Sequence, residues 1–443
     1  MKIGINQEVG LLERLDLSPE ERLLILCARL RLTPEQRDEL EALVAGPLSW
    51  ERVVHKVRWH LFPLLFQHLR GLENRDKVPA EVMDWLKNSY VTNVARSLFF
   101  QNELRQVLEA LRSRGLPVVV LKGAVLAEMV YGCSSLRPMT DVDLLVHHQD
   151  AGTADAIVRS LGYVPSVDPE VEDEMRAQDR QLARLAGVGK PVIFDIHSHI
   201  VEANNPLRFD ISGFWERAVP ATVAGVPVSV LCPEDFVTHL TINFFKDLRF
   251  NSFAALGELC DLSETVRLYS DNINWDLLVR EVRAAGLEGP VFCGLYLAQQ
   301  VTDAPIPDKV LLQLQPDDFD PRDAERLVRQ RVLGEYWVAK ALVDPRSPYS
   351  WRTVTLGMLR RVFPSRHSLA EHYDVPVQSK GIKYLYFRRL AEALSIATRL
   401  AVKPGEMRED LAVDRWLHSL YGHNGCGQAN SANSKGTRGV LHV

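Results

Sequence analysis

The sequence lacks the short motifs that mark several large enzyme classes. It contains no Gly-x-x-x-x-Gly-Lys-Ser/Thr phosphate loop, no His-Glu-x-x-His metal helix and no Gly-x-Ser-x-Gly nucleophile turn. Its six cysteines stand singly, without a Cys-x-x-Cys pair or a spacing that would hold zinc. We therefore interpret the cysteines as small buried residues in a reducing compartment, and the P-loop, zincin and serine-hydrolase classes have no support.

A strong charge imbalance and a long uninterrupted apolar run are also missing. The 443 residues carry 52 Lys and Arg against 57 Asp and Glu, a formal charge of -5, which argues against a broadly basic nucleic-acid-binding surface. The longest apolar stretch, residues 116–136, contains Lys122 and Glu128, which would be costly at bilayer depth. The first eight residues lack the basic start and apolar run of a secretory signal. We expect a cytoplasmic protein without a membrane span.

The chain length and composition favour a soluble protein of two or three domains. Hydrophobic residues make up 46% and charged residues 25%, both ordinary values. Ser18 and Thr33 each precede a proline and early acids, a pattern typical of helix starts. We predict an α+β fold, a small mixed-sheet core flanked by helical regions. The predicted boundaries are a helical region 1–115, an α/β core 116–232, a helical region 233–421 and a disordered tail 422–443.

Strand and helix patterns alternate within the predicted core. Short β-branched or apolar runs at 117–121, 142–146 and 191–197 predict buried strands. Helices are predicted between them at 124–130 and 150–161. A hairpin is predicted at 222–231, turning at Gly225, and helical periodicity resumes after it. This alternation indicates one mixed α/β unit.

Acidic residues at the strand starts are the most informative chemical feature. Asp141 and Asp143 are two residues apart, so on a strand they project from one face about 6.6–7 Å apart. Two such carboxylates repel each other, and bound Mg²⁺ or Mn²⁺ would offset that repulsion. Asp195 lies inside an apolar strand, where an unpaired carboxylate is expensive, and on a neighbouring strand it would complete a three-carboxylate site.

Structural explanations for the same acids stay open at this point. An isolated Asp-x-Asp is common as a solvated loop pair or a helix cap. Asp195 could instead form a salt bridge with a nearby arginine or lie near the sheet edge.

The core resembles the nucleotidyltransferases of the DNA polymerase β type, and within them the family described as uncharacterised nucleotidyltransferase. The resemblance rests on three segments, which are Val119-Val120-Leu121-Lys122-Gly123-Ala124, Leu136-Arg137-Pro138-Met139-Thr140-Asp141-Val142-Asp143-Leu144-Leu145 and Phe194-Asp195-Ile196-His197. It covers the α/β core well and the flanking helices loosely. It also extends to the toxin-type nucleotidyltransferases of abortive-infection systems.

The resemblance implies roles for the acids and for the residues beside them. Asp141, Asp143 and Asp195 would bind metal and carry catalysis, with Asp195 also orienting or deprotonating the acceptor hydroxyl. The implied nucleotide-binding residues are Lys122, Gly123, Arg137, Thr140, Lys246 and Asp261. Lys246 and Asp261 have an equally plain structural interpretation, as an exposed lysine and a helix-capping aspartate.

One departure from the superfamily pattern concerns the glycine turn. The usual Gly-Ser or Gly-Gly pair is Gly123-Ala124 here, so a serine contact to the γ-phosphate is missing. Lys122 could substitute for that contact, or catalysis could be weak or lost.

The predicted partners are therefore an NTP and an acceptor of unknown class, which could be a small molecule, an RNA end or a protein. One alternative is a catalytically degenerate nucleotide-binding scaffold or sensor. A second is a metallohydrolase using His197 and His199 as a His-x-His metal pair, which would need a strand-helix barrel with further ligands. Without that barrel, His197 is interpreted as a partner of Asp195, and His199 as a surface residue.

Overall fold

The computed structural model describes residues 10–57, 59–166, 184–187, 190, 192–201, 207–250, 255–334, 413, 416–417 and 419–420. The fifteen α-helices within these residues are α1 Leu11–Arg14, α2 Pro19–Cys27, α3 Pro34–Ala45, α4 Trp50–Lys56, α5 Phe62–Arg70, α6 Ala80–Ser113, α7 Lys122–Val125, α8 Ala151–Ser160, α9 Ser212–Glu216, α10 Pro233–Phe250, α11 Ala255–Leu268, α12 Trp275–Ala284, α13 Glu288–Thr302, α14 Asp308–Leu314 and α15 Pro321–Leu327. Single π-helical turns follow α7 at Leu126–Val130 and α15 at Val328–Val332, and short 3₁₀ turns lie at Trp59–Leu61, Arg75–Lys77 and His148–Asp150.

The helix starts of the N-terminal region follow from local sequence. The hydroxyls of Ser18 and Thr33 accept hydrogen bonds from the amides of Glu21 and Gln36, whose side chains bond back to the cap amides. These capping boxes satisfy amides that a helix start leaves without partners. Both predicted helix starts are therefore confirmed.

A seven-stranded mixed sheet forms the centre of the described residues. Its strands are β1 Val118–Val120, β2 Asp141–Val146, β3 Tyr163–Pro165, β4 Leu185–Gly187, β5 Ile193–His197, β6 Val219–Val223 and β7 Val226–Val230. The order across the sheet is β3-β4-β5-β2-β1-β7-β6. β2 runs parallel to β5 and antiparallel to β1, and β1 runs parallel to β7. The predicted α+β class is confirmed.

One face of the sheet is packed against α6 and α8. Phe194 is fully buried there and meets the ring of Tyr163 edge-on, with ring centroids 5.0 Å apart. The Tyr163 hydroxyl donates a 2.7 Å hydrogen bond to Glu103 of α6, and Lys190 donates to the same carboxylate at 2.6 Å. Because side chains alternate along a strand, Asp195 lies on the opposite face.

Most predicted elements appear, with shifts at their ends. The strand predicted at 142–146 begins one residue earlier, at Asp141, and the helix predicted over 124–130 starts at Lys122 and continues into a π turn. The hairpin turns at Ala224 and Gly225, both with positive φ. β4 was missed, because three residues are too few to show a strand period.

The predicted domain boundaries remain predictions. The predicted tail 422–443 and much of the predicted helical region 233–421 lie outside the described residues. Across the described part of the chain, no helix is both long and apolar enough to cross a membrane.

Replacing Phe194 with alanine should lower the free energy of unfolding by about 3–5 kcal/mol, because the change leaves a cavity between the sheet and its covering helices. The measurement is urea unfolding followed by circular dichroism. Val164→Ala is the control, since Val164 is 47% exposed and its loss should change stability by less than about 0.5 kcal/mol. Equal losses in the two variants would contradict this packing.

Candidate functional site

Two aspartates stand side by side on the face of the sheet opposite α6 and α8. The parallel register of β2 and β5 pairs Asp143 directly with Asp195, and it places Asp141 one pleat earlier, opposite Ile193. The side chains of Asp143 and Asp195 are only 4% and 3% exposed, whereas that of Asp141 is 22% exposed. Burying two neighbouring carboxylates requires positive charge nearby, since each loses hydration and repels the other.

His197, two residues beyond Asp195, supplies a hydrogen-bond donor to these acids. Its Nε2 donates a 2.9 Å hydrogen bond to Asp143 Oδ1 and lies 3.6 Å from Asp195 Oδ1. Burial acts to lower the pKa of His197, but the two aspartates outweigh it and raise that pKa above its ordinary value. His197 is therefore a partner of both acids, and it lies closer to Asp143 than to Asp195, the partner predicted from sequence.

Lys122 approaches Asp143 from the start of α7. Its Nζ lies 3.5 Å from Asp143 Oδ2 and donates a 3.1 Å hydrogen bond to Asn243 of α10. Burial alone would raise the pKa of Asp143, yet the charge of Lys122 and the hydrogen bond from His197 hold that pKa well below its usual range. Burial would likewise lower the pKa of Lys122, and Asp143 and Asp141 raise it. This ion pair is ionised at neutral pH.

Arg184 bridges the other two carboxylate positions. Its Nε donates to Asp195 Oδ2 at 3.0 Å, and its Nη2 donates to Asp141 Oδ2. The salt bridge considered as a structural explanation for Asp195 is thus present, and its partner is Arg184. The same guanidinium gathers Asp141 and Asp195, so the three predicted acids share one cluster with Lys122, His197 and Arg184.

Arg137 and Asp261 form a separate ion pair at the edge of this cluster. Arg137 Nη2 donates to Asp261 Oδ2 at 2.9 Å, and the Tyr131 hydroxyl donates to Asp261 Oδ1 at 2.7 Å. Asp261 therefore caps no helix but anchors α11 to the loop before β2. Gly123 lies beneath this pair, because a Cβ there would meet Arg137 Nη1 and Met139 Sδ at 3.4 Å.

The remaining predicted residues lie at the margins. Thr140 is exposed, and its hydroxyl donates a 3.1 Å hydrogen bond to Asp141 Oδ1, so it orients that carboxylate. Lys246 is half-buried on α10 and contributes positive charge around His239, so it is not simply an exposed lysine.

α10 presents a polar face to the acids. His239 and Asn243 are one turn apart on it, and Asn243 connects Lys122 to Glu258 of α11 through a 2.9 Å hydrogen bond to Glu258 Oε1. Burial and the charge of Asp247 raise the pKa of Glu258 well above its usual value. Burial and the charge of Lys122 lower the pKa of His239 to about 3, so its imidazole is neutral.

The carboxylates of the cluster fit a divalent cation. One ligand atom from each of Asp143, Asp195 and His197 lies within 4.8 Å of the others. Asp143 Oδ2 is buried and accepts no hydrogen bond within the described structure. Carboxylates suit Mg²⁺ and Mn²⁺, whereas His197 would ligate a cation through Nε2 only after losing the proton that this nitrogen donates to Asp143.

His199 does not join this group. Its Nδ1 accepts a hydrogen bond from the Val201 amide at 3.2 Å, and its Nε2 donates to the Phe209 carbonyl at 3.1 Å. It is partly buried rather than a surface residue. Both ring nitrogens are engaged by backbone, and the sheet in the described residues is mixed and seven-stranded rather than an eight-unit barrel. The His-x-His metallohydrolase alternative is therefore unsupported.

One family of known proteins matches the part of the chain that contains these residues. A family model described as uncharacterised nucleotidyltransferase matches residues 46–303, more than half of the chain and all of the candidate site. The chain belongs to this nucleotidyltransferase family. A search of curated proteins and a search of solved structures found no match. The family resemblance predicted from sequence is confirmed, and membership implies a nucleotide substrate.

Sequence reasoning missed Arg184, Asn243 and His239. Arg184 precedes a strand of three residues, so no periodicity marked its position beside Asp195. His239 and Asn243 are four residues apart, so they share one face of α10. That spacing could have indicated a polar face on this helix.

Breaking the Arg137–Asp261 ion pair should destabilise the protein. Asp261→Asn leaves Arg137 largely buried without its counter-charge, so we expect the free energy of unfolding to fall by about 3 kcal/mol. The double change Arg137→Met with Asp261→Leu should recover part of that loss, because no buried charge remains. Urea unfolding of both variants provides the measurement.

Asp276→Asn is the matched control, since the ion pair of Asp276 with Lys309 is exposed and should contribute less than about 1 kcal/mol. A double variant no more stable than Asp261→Asn would contradict the dependence of Arg137 on Asp261.

Proposed function

We propose that the protein is a metal-dependent nucleotidyltransferase that moves an NMP from an NTP to an acceptor hydroxyl. The observation that carries this proposal is the pair of buried carboxylates, Asp143 and Asp195, facing each other on parallel strands with Asp141 beside them. A purely structural core gains nothing from burying two adjacent acids, since apolar residues would pack there at lower cost.

Asp141, Asp143 and Asp195 are the residues that would hold Mg²⁺ or Mn²⁺. When bound, such a cation neutralises charge that develops on the phosphate oxygens during transfer. Asp143 would be the central ligand, because its buried Oδ2 accepts no hydrogen bond in the described structure and has the Lys122 ammonium 3.5 Å away. Asp141 is the most exposed of the three acids and lies at the first residue of the central strand β2, where an incoming triphosphate would have access.

Asp195 serves the acceptor in this mechanism. Its carboxylate orients the acceptor hydroxyl and takes the hydroxyl proton as the oxygen forms a bond to the α-phosphorus. The bond between that phosphorus and the oxygen bridging to the β-phosphate breaks, and pyrophosphate leaves with the electron pair. The proton then passes from Asp195 to solvent.

The phosphate-binding side of the site is formed by the turn after β1 and the loop before β2. Lys122 and the amides around Gly123 face the triphosphate, and Thr140 hydrogen-bonds a phosphate or holds Asp141. Arg137 is paired with Asp261, so it can donate to the phosphates only through N–H groups that this ion pair does not use. Lys246 and Asp261 complete the wall from α10 and α11.

The acceptor is a small molecule, an RNA end or a protein side chain. The helices on both sides of the sheet form the surfaces that would select it. The overall charge of -5 weighs against a long nucleic-acid acceptor, because phosphate contacts supply most of the affinity for such chains.

Incubation with each labelled NTP, Mg²⁺ or Mn²⁺ and a cell extract tests the function. The double change Asp141→Ala with Asp143→Ala should reduce label transfer by at least about 100-fold, since even losing a group that merely supports a metal ligand costs about 10- to 100-fold. The labelled class of molecule, whether RNA, protein or small compound, identifies the acceptor.

The exposed Arg280→Gln change on α12 is the control and should transfer label like the wild type. Equal label transfer by the wild type and the aspartate double variant would contradict the proposed nucleotidyltransferase function. Nucleotide binding without transfer by the wild type would favour the alternative of a degenerate scaffold or sensor.

Metal removal provides an independent prediction. Dialysis against EDTA should abolish transfer, and adding back Mg²⁺ or Mn²⁺ should restore it, because the uncompensated triphosphate charge opposes attack by the acceptor oxygen. The initial rate of label transfer before and after add-back is the measurement. Full activity in the dialysed enzyme would contradict a metal-dependent mechanism.

A further inference from the structure

Arg184 is a basic residue of the cluster to which the proposed function gives no role. Arg184 lies one residue before β4 and, by the antiparallel register of β4 with β5, directly opposite Asp195. Its carbonyl accepts a 2.8 Å hydrogen bond from the Ser166 amide, so the sheet fixes its backbone. Its side chain is 47% exposed, whereas that of Asp195 is 3% exposed. The guanidinium therefore reaches the buried acid from the solvent side and can leave without unfolding a strand.

The guanidinium of Arg184 occupies the space between two proposed metal ligands. It donates to Asp195 Oδ2 at 3.0 Å and to Asp141 Oδ2. A carboxylate oxygen that bonds a guanidinium is less available to a cation, because both compete for the same lone pairs and the same negative charge. Arg184 is thus a built-in competitor for the position of a divalent ion.

The other basic side chains of the cluster are less free to leave. Lys122 begins a helix, is 24% exposed and is held by the Asn243 side chain. His197 belongs to β5 and is 16% exposed. Of Lys122, His197 and Arg184, Arg184 has the most exposed side chain, and its planar fork matches phosphate oxygens with two parallel hydrogen bonds.

We propose that Arg184 is a substrate-responsive residue: it neutralises Asp141 and Asp195 in the free protein and transfers its guanidinium to the phosphate oxygens when a cation and an NTP bind. The inference rests on the proposed function, since it requires a cation and an NTP at these carboxylates. Two opposite effects follow from one side chain. Arg184 weakens cation binding in the absence of nucleotide, and it strengthens nucleotide binding once the cation is present.

The test measures Mn²⁺ affinity by electron paramagnetic resonance and NTP affinity with a fluorescent, non-hydrolysable analogue. Without nucleotide, Arg184→Gln should bind Mn²⁺ at least about 3-fold more tightly than the wild type, because a competing charge is gone. With saturating Mn²⁺, the same variant should bind the analogue about 10-fold more weakly, because charge-assisted hydrogen bonds to phosphate are lost. Arg280→Gln should match the wild type in both measurements.

Arg184→Lys adds a second variant that keeps the charge and removes the planar fork. It should bind Mn²⁺ within about 3-fold of the wild type and still bind the analogue more weakly. Circular dichroism of each variant checks that the sheet is intact.

Two results would overturn the assignment of Arg184. One is an unchanged or weaker Mn²⁺ affinity in Arg184→Gln, and the other is an unchanged affinity for the analogue. Asp143→Asn separates this outcome from failure of the proposed function. If Asp143→Asn still binds Mn²⁺, the metal site itself is contradicted. If Asp143→Asn loses Mn²⁺ binding while Arg184→Gln binds Mn²⁺ as the wild type does, only the assignment of Arg184 is overturned.

Discussion

The burial of Asp143 beside Asp195 is the constraint to which the rest of the site responds. The parallel pairing of β2 with β5 fixes the two carboxylates in register, and both are almost fully removed from water. Isolated buried carboxylates would take up protons, because desolvation favours the neutral form. Here the charge of Lys122 and the hydrogen bond from His197 keep Asp143 ionised. Asp143 is therefore held as a charged carboxylate rather than as a neutral acid, which is the state that binds a cation.

The sheet separates stability from chemistry by using its two faces differently. Phe194 and Tyr163 pack under α6 on one face, whereas the acids and His197 occupy the other. The C-terminal helices then approach the second face through polar contacts. Asn243 bonds Lys122, and Asp261 pairs with Arg137. These two contacts join the α/β core to α10 and α11. One of them involves Lys122, which also keeps Asp143 ionised.

The local secondary structure around the site could be predicted from the sequence. The strand containing Asp141 and Asp143, the strand containing Asp195 and the hairpin at Gly225 follow from apolar periodicity and turn chemistry, and the family follows from the motifs around them. The long-range part was not accessible. The pairing of Arg184 with Asp195 depends on the register of a three-residue strand, and the engagement of Arg137 by Asp261 depends on how α11 docks. Neither contact produces a periodic pattern in the sequence, because both are fixed by tertiary packing rather than by neighbouring residues.

The central claim is that Asp143 and Asp195 jointly hold a divalent cation that contacts an NTP. It is tested most directly by a crystal structure with Mn²⁺ and a non-hydrolysable NTP analogue, using the anomalous signal to locate manganese. We expect an anomalous peak within about 2.0–2.3 Å of oxygens from both aspartates and from a phosphate of the analogue. A nucleotide bound with its phosphates away from these carboxylates, or manganese bound elsewhere, would contradict it.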